Sequence, residues 1–371
     1  MSEVFPIEPR LLLGPGPSPV HPRILEALGR PTVGHLDGQF LAVMDDVNER
    51  LRRVFGTENA LTFPVSGTGS AAQEAAMANV LEPGDTAIIG INGVFGGRLR
   101  EMARRMGAEV VAVEAEWGRI LDPEALVDAH RAHPDARVLA VVHAETSTGV
   151  RQPLGEIGQY LAGTDTLFLV DTVTSLGGIP VALDEHGVDV AYSGTQKCLG
   201  VPPGLAPISF SERAAERVRT RETPCQSWYL DAGLLAEYVG EGASRKYHHT
   251  APINMMYALH EGLVIAEEEG LPERYERHER VGGILREALL ERGFCLFAQE
   301  GHRLPQLTAA VLPEGWDEGA LRRRLLQEHA IEVGGGLGPA AGTLWRIGLM
   351  GHGATEESVE RLLAAVDAVR A

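Results

Sequence analysis

Between residues 61 and 210 the chain repeats one pattern: a short, nearly continuous apolar run, then a polar or helix-patterned stretch, then another apolar run. The runs fall at 61–65, 87–91, 110–113, 138–142, 167–170, 188–192 and 206–210. Most lack a strict alternation of apolar and polar residues, as expected of strands buried on both faces of a mainly parallel sheet. Helical patterns over 71–81 and 98–106 lie between them. Such α/β alternation predicts a sheet sandwiched by helices, with functional groups at the carboxyl ends of its strands. Ahead of it, 40–54 reads as one amphipathic helix, with Leu41, Met44, Val47, Leu51 and Val54 on a single face.

After residue 252 the pattern changes. Long helices over 253–269 and 274–292 lead to short strands at 294–297, 308–311, 331–333 and 344–348. Helices over 318–328 and 356–369 interleave with them. This predicts a smaller α+β unit packed beside the first, and 371 residues suffice for both. The net charge of −18 argues against a nucleic-acid or anionic-membrane partner, since either needs a basic field. No apolar stretch approaches the ~20 residues of a membrane span. The start, Met1-Ser2-Glu3-Val4-Phe5-Pro6, has neither the basic nor the apolar region of a signal peptide. The expectation is a cytoplasmic protein. Three cysteines, Cys198, Cys225 and Cys295, are too few and too scattered for a disulfide framework or a cysteine-rich metal site.

Of 33 basic residues only two are lysines, Lys197 and Lys246. Where arginine serves every ordinary surface role, a surviving lysine suggests chemistry that guanidinium cannot do, because only the amine can lose its proton and act as a nucleophile. Lys246 lies in a polar stretch and reads as a surface side chain. Lys197 closes Tyr192-Ser193-Gly194-Thr195-Gln196-Lys197 directly after an apolar run. Asp171 ends the run before it, at the strand end that faces the crevice of an open α/β sheet. Gly67-Thr68-Gly69-Ser70-Ala71-Ala72 follows another run and opens a helix. It fits a dinucleotide fingerprint, but the next strand ends Ile89-Gly90-Ile91-Asn92 with no acid for a ribose. What remains is a helix N-terminus suited to a phosphate. A lysine, a carboxylate for a protonated ring nitrogen and a phosphate cradle are the three needs of a pyridoxal phosphate site.

The motifs carrying these residues occur together with Gly14-Pro15-Gly16-Pro17-Ser18, Glu145-Thr146-Ser147-Thr148-Gly149, Leu169 to Gly178 and Tyr247-His248-His249-Thr250. In this order they resemble the class V, fold-type I aminotransferases, nearest the alanine–glyoxylate and serine–pyruvate branch, over essentially the whole chain. The resemblance implies a large cofactor-binding α/β domain over 15–252 and a small α+β domain from 1–14 and 253–371. It implies pyridoxal 5′-phosphate held by Lys197, with Asp171 at the ring nitrogen. Thr68, Gly69, Ser70 and Gln196 would take the phosphate, Thr146 the ring hydroxyl side, and Val173 one ring face. Phe95 stands at the other face, where most relatives have Trp or His, so stacking is kept and an N–H donor lost. Arg346 would clamp the substrate carboxylate beside the backbone of Gly16. Tyr247 and Thr250 would reach the phosphate of the neighbouring subunit in a homodimer.

The implied reaction moves an amino group between alanine or serine and glyoxylate or pyruvate. Arg346 is the one carboxylate clamp the motifs place, which suits small monocarboxylates. The alternatives are a ureidoglycine–glyoxylate or 2-aminoethylphosphonate transaminase, or a cysteine desulfurase-type lyase using Cys225. A binding protein that has kept the fold without the cofactor is the alternative of another class, and intact Lys197 and Asp171 argue against it. No metal is expected. His143-Ala144-Glu145 has the H-x-E pattern of zinc deaminases without the P-C-x-x-C that must follow, and adjacent His248 and His249 suit one ion poorly. Cys198 reads as a small buried filler.

Overall fold

The seven apolar runs pair edge to edge into one sheet, and among the described residues the other strands make a four-stranded sheet and two short pairs. The computed structural model describes residues 7–240 and 245–370, so the expectations that fall on 1–6 and 371 lie outside the described residues. In chain order the first elements are β1 (Leu11–Leu12), α1 (Pro22–Leu28), α2 (Gly38–Phe55), β2 (Leu61–Gly67), α3 (Gly69–Val80) and β3 (Thr86–Ile91). Next come α4 (Val94–Arg105), β4 (Glu109–Glu114), α5 (Pro123–Ala132), β5 (Val138–Val142), β6 (Ala144–Glu145), β7 (Val150–Arg151) and α6 (Gly155–Leu161). They are followed by β8 (Leu167–Asp171), β9 (Val190–Tyr192), β10 (Gly204–Phe210), α7 (Glu212–Arg219), α8 (Ala232–Val239), α9 (Ile253–Glu269) and α10 (Leu271–Glu291). The last are β11 (Cys295–Leu296), β12 (Leu307–Val311), α11 (Glu318–His329), β13 (Ile331–Glu332), β14 (Gly334–Gly335), β15 (Leu344–Gly348) and α12 (Glu356–Arg370).

The large sheet has the order β2-β10-β9-β8-β5-β3-β4 and is parallel except for β10. Every residue of β5 and β8 is buried, as continuous apolar runs covered on both faces require. Asp171 is the last residue of β8, in register with Val142 of β5 and Tyr192 of β9. α3 lies against β2, β9 and β10. Its alanines at 72, 75, 76 and 78 let it sit close to the strands, because a methyl keeps the backbone-to-sheet distance short. α2 forms as expected, capped by the Asp37 carboxylate accepting from the Gln39 amide at 2.8 Å, with Phe40 rather than Leu41 on its buried face.

The smaller sheet is antiparallel, in the order β11-β12-β15-β14. Its core gathers Leu285, Leu289, Phe294, Trp345, Ile347, Leu362 and Val366. Leu13 joins that core, and β1 pairs in parallel with β13. α9 belongs elsewhere. Its buried Ile253, Met256, Leu259 and Leu263 pack into the large core, against α1 and α2. On this packing α9 goes with the large core, although the sequence places it after the change of pattern at 252. An amphipathic helix does not reveal in its sequence which of two cores it serves. No helix among the described residues is long and apolar enough to cross a membrane.

Close approach between α6 and the following loop supplies a test. A Cβ on Gly158 would stand 1.7 Å from the His186 carbonyl oxygen, whereas one on Gly38 would meet nothing within 4 Å. Gly158→Ala should cost about 1–3 kcal/mol of stability through backbone displacement. Gly38→Ala should be neutral or gain up to about 1 kcal/mol through the unfolded chain. Equal denaturation midpoints for the two variants would contradict the packing described.

Candidate active site

The carboxyl ends of the parallel strands converge on a cavity of about 210 Å³. Asp171, Val173 and Thr174 enter from the end of β8, Gln196 and Lys197 from the loop after β9, and Gly69, Ser70 and Gln73 from the first turns of α3. Phe95 and Arg98 come from α4, and Thr146 from the turn after β6. Each segment leaves a strand whose register is fixed by its neighbours, so the side chains arrive on a rigid frame.

Asp171 is 4% exposed. Its Oδ2 accepts from the Tyr192 hydroxyl at 2.6 Å and its Oδ1 from the Val173 amide at 2.9 Å. Burial nevertheless raises its pKa from the usual 3.8 to about 6; the two hydrogen bonds oppose the shift without cancelling it. Burial also lowers the Lys197 amine from 10.5 to about 8, and the nearby guanidinium groups of Arg346 and Arg98 push the same way. Lys197 Nζ donates to the Pro15 carbonyl, and Ser18 Oγ donates to the Lys197 carbonyl at 2.7 Å. The 14–18 segment thus lies directly against the lysine. A Cβ on Gly16 would come within 2.6 Å of Lys197 Cδ and Nζ, and φ there is +100°, so only glycine fits.

Arg346 is buried on β15, reaching from the small unit. Its Nε donates to the Gly335 carbonyl at 2.7 Å and its Nη1 points to the Thr146 carbonyl at 3.5 Å. Thr68 opens α3 with no side-chain cap, leaving first-turn N–H groups for a ligand. Gly16, Thr68 and Arg346 therefore border the cavity lining. Tyr247 and Thr250 do not reach it; both are exposed, Tyr247 at 60%.

Sequence reasoning passed over several neighbours. Tyr192 is buried behind Asp171, and its place opposite Asp171 in a parallel pair was the available signal. Gln73 and Arg98 stand one helical turn after Ser70 and Phe95. Arg98 is thus a second arginine in the cavity, where the motifs placed only the bordering Arg346. Glu145, fully buried, accepts from the amides of Ser147, Phe95 and Gly96 at 3.0, 3.0 and 3.3 Å and from the Ser147 hydroxyl at 2.6 Å. It is an anchor that fixes the start of α4, and with it Phe95, to the turn carrying Thr146. Among the described residues no three His, Cys, Asp or Glu side chains group to hold a metal ion.

The residues present fit pyridoxal phosphate. Gln73 Nε2 is a buried donor without a hydrogen-bond partner among the described residues, and an acceptor oxygen of a ligand in the cavity would meet it. The Asp171 carboxylate, costly while alone, would be matched by a protonated ring nitrogen.

The family profile for class-V aminotransferases, "Aminotransferase class-V", matches residues 23–362. The chain is 41% identical to an alanine–glyoxylate aminotransferase of Oryctolagus cuniculus, over 96% of this chain and 91% of that one. It is 39% identical to an (S)-ureidoglycine–glyoxylate transaminase of Bacillus subtilis, over 97% and 90% respectively. The solved structure of an alanine–glyoxylate aminotransferase from Nostoc superposes with a TM-score of 0.97 at 50% identity, covering 100% of this chain and 98% of that one.

Burial of Asp171 has a measurable sign. Its native pKa lies above its unfolded value, so the native state binds more protons and loses stability as pH rises from about 4 to about 6. In cofactor-free protein, the melting temperature of Asp171→Asn relative to wild type should rise across that window and level off above it. A difference that is flat from pH 4 to 7 would mean that the carboxylate is not desolvated.

Proposed function

The chain belongs to the class V aminotransferases, and we propose that within them it passes the amino group of a small amino acid, alanine or serine, to glyoxylate or pyruvate. As a member of that family it is a pyridoxal 5′-phosphate enzyme. When bound, the cofactor supplies a sink for the electron pair released as a proton leaves the substrate α-carbon. The observation that carries the proposal is the pairing of Lys197 and Asp171 in one cavity, each pushed by burial toward its neutral form.

In this reading Lys197 first holds the cofactor covalently. Once freed by the amino donor, its Nζ would carry the proton from the substrate α-carbon to C4′ of the cofactor. A base must be partly neutral at working pH, and a pKa lowered to about 8 provides that fraction. Asp171 keeps the ring nitrogen protonated, with Tyr192 and the Val173 amide fixing its two oxygens. Val173 and Phe95 take the ring faces, and Thr146 the ring hydroxyl side. Thr68, Gly69, Ser70 and Gln196 take the phosphate. Arg346, beside Gly16, orients the substrate carboxylate. A second copy of the chain supplies Tyr247 and Thr250, whose exposure leaves them available to it. The likeness to alanine–glyoxylate aminotransferases supports the same substrates.

Ureidoglycine is the second reading for the amino donor, since the Bacillus subtilis transaminase is about as similar over the same length. A lyase using Cys225 is disfavoured. That thiol is directed at the Ala78 carbonyl at 3.6 Å, burial raises its pKa, and it lies outside the cavity lining.

Alanine, serine, ureidoglycine and 2-aminoethylphosphonate, each offered with glyoxylate and with pyruvate, decide the question. Keto-acid product from alanine or serine is the expected result, and turnover confined to either other donor would overturn the substrate assignment. Lys197→Ala should stay folded, lose the yellow colour that borohydride bleaches, and lose nearly all turnover. Lys246→Arg should be silent, because Lys246 pairs with Glu237 at the surface, at 2.8 Å, where arginine serves as well. Arg346→Lys should lower kcat/KM by about 2–4 kcal/mol, close to the alanine variant, since a point charge does not replace a two-pronged clamp. Shared sites are tested by mixing Lys197→Ala with a Tyr247→Ala, Thr250→Arg chain. Co-refolding should restore roughly a quarter of the sites under unbiased two-fold pairing. No recovery, with a wild-type control that recovers, would confine both residues to their own subunit.

A further inference from the structure

Arg98 carries no motif, yet it lines the cavity with Lys197, Asp171 and Gln196. Its guanidinium carbon lies 4.9 Å from the centre of the Phe95 ring, and its Nη1 donates to the Ser70 hydroxyl at 3.5 Å. Those contacts are an aromatic face and a neutral hydroxyl; among the described residues it has no carboxylate partner. Two other arginines of α4 are paired, Arg100 with Glu114 at 3.0 Å and Arg105 with Glu101 at 2.8 Å. In a chain with 51 acidic side chains, Arg98 reaches the cavity lining without one, and its exposed guanidinium is open to an anion entering from solution.

The cradle assigned to the phosphate has no other full charge. Thr68, Gly69, Ser70 and Gln196 are neutral, and a helix N-terminus contributes only about half a positive charge. A phosphate dianion held by these groups alone would leave most of its charge without a protein counter-charge. We propose that Arg98 is the cation of the phosphate cradle, binding the cofactor phosphate together with Ser70 and the first turn of α3. Through its stacking on Phe95 it also fixes the ring that covers the cofactor. This rests on the assignment of Thr68, Gly69 and Ser70 to the phosphate. The competing role, a second clamp for a dicarboxylate substrate, fits less well. Arg98 leans on the helix that holds the cradle, whereas Arg346 reaches the carbonyls of Gly335 and Thr146 from the small unit.

Pyridoxal, which lacks the phosphate, separates the contributions. Full-length enzyme stripped of cofactor is titrated with pyridoxal phosphate and with pyridoxal, as wild type, Arg98→Gln, Arg98→Lys and Phe95→Leu. Arg98→Gln should weaken pyridoxal phosphate by ~10–100-fold, the range of a charge-assisted hydrogen bond, and pyridoxal by less than ~3-fold. Added salt should narrow that gap, and Arg98→Lys should recover part of it. Phe95→Leu should weaken both ligands alike. The proposal fails if Arg98→Gln weakens both ligands equally, because Arg98 would then only support Phe95. It fails also if phosphate-dependent binding is unchanged while turnover of aspartate or glutamate is lost, which would make Arg98 the substrate clamp. Wild-type protein that binds neither ligand would sink the cofactor assignment as well, so the two failures are distinguishable.

Discussion

An amine and a carboxylate share one water-poor cavity, and neither is comfortable there in its charged form. This desolvation is the constraint on which the site depends. Isolated in water, Lys197 would be fully protonated and Asp171 fully ionised. Enclosed by Phe95, Val142, Ala144 and Val173, each moves toward neutrality. A protein tolerates such groups only where the surrounding backbone is held in place, and here it is. Asp171 terminates a strand flanked on both sides by others, its oxygens occupied by Tyr192 and the Val173 amide. The loop carrying Lys197 is tied down by Arg274, whose guanidinium reaches the carbonyls of Cys198 and Gly177 at 2.5 and 3.0 Å. Arg274 in turn pairs with Glu269 across the break between α9 and α10, at 2.7 Å.

The large sheet was legible because its strands are covered on both faces. Runs such as Val138–Val142 have no polar residue to obscure them, and the acid and lysine just beyond two runs stood out against that background. The second half was legible by helix length and periodicity, but not in its allegiance. The apolar face of α9 reads identically whether it meets the large core or the small one. Short helices such as α6 and α8 carry few turns of pattern and were not visible.

Within the site, residues on motifs were found and residues on helix faces were missed. Gln73 and Arg98 reach the cavity only because α3 and α4 present successive turns toward it, and that direction is a property of packing. Glu145 was visible for the wrong reason: a His-x-Glu spacing suggests a metal, while the folded chain uses the carboxylate to collect four N–H and O–H donors at the head of α4. Tyr247 and Thr250 lie at the surface of the chain.

The segment at 11–18 is a small feature with a consequence for biosynthesis. Its beginning pairs with Ile331 and Glu332, about 320 positions later, and its end supports Lys197 through Pro15 and Ser18. The first strand to leave the ribosome must therefore wait for almost the last one to emerge. Until then the lysine loop lacks its inner wall and the carbonyl that receives its amine. The wall of the lysine loop is thus completed by a segment whose own strand partner is synthesised some 320 positions later.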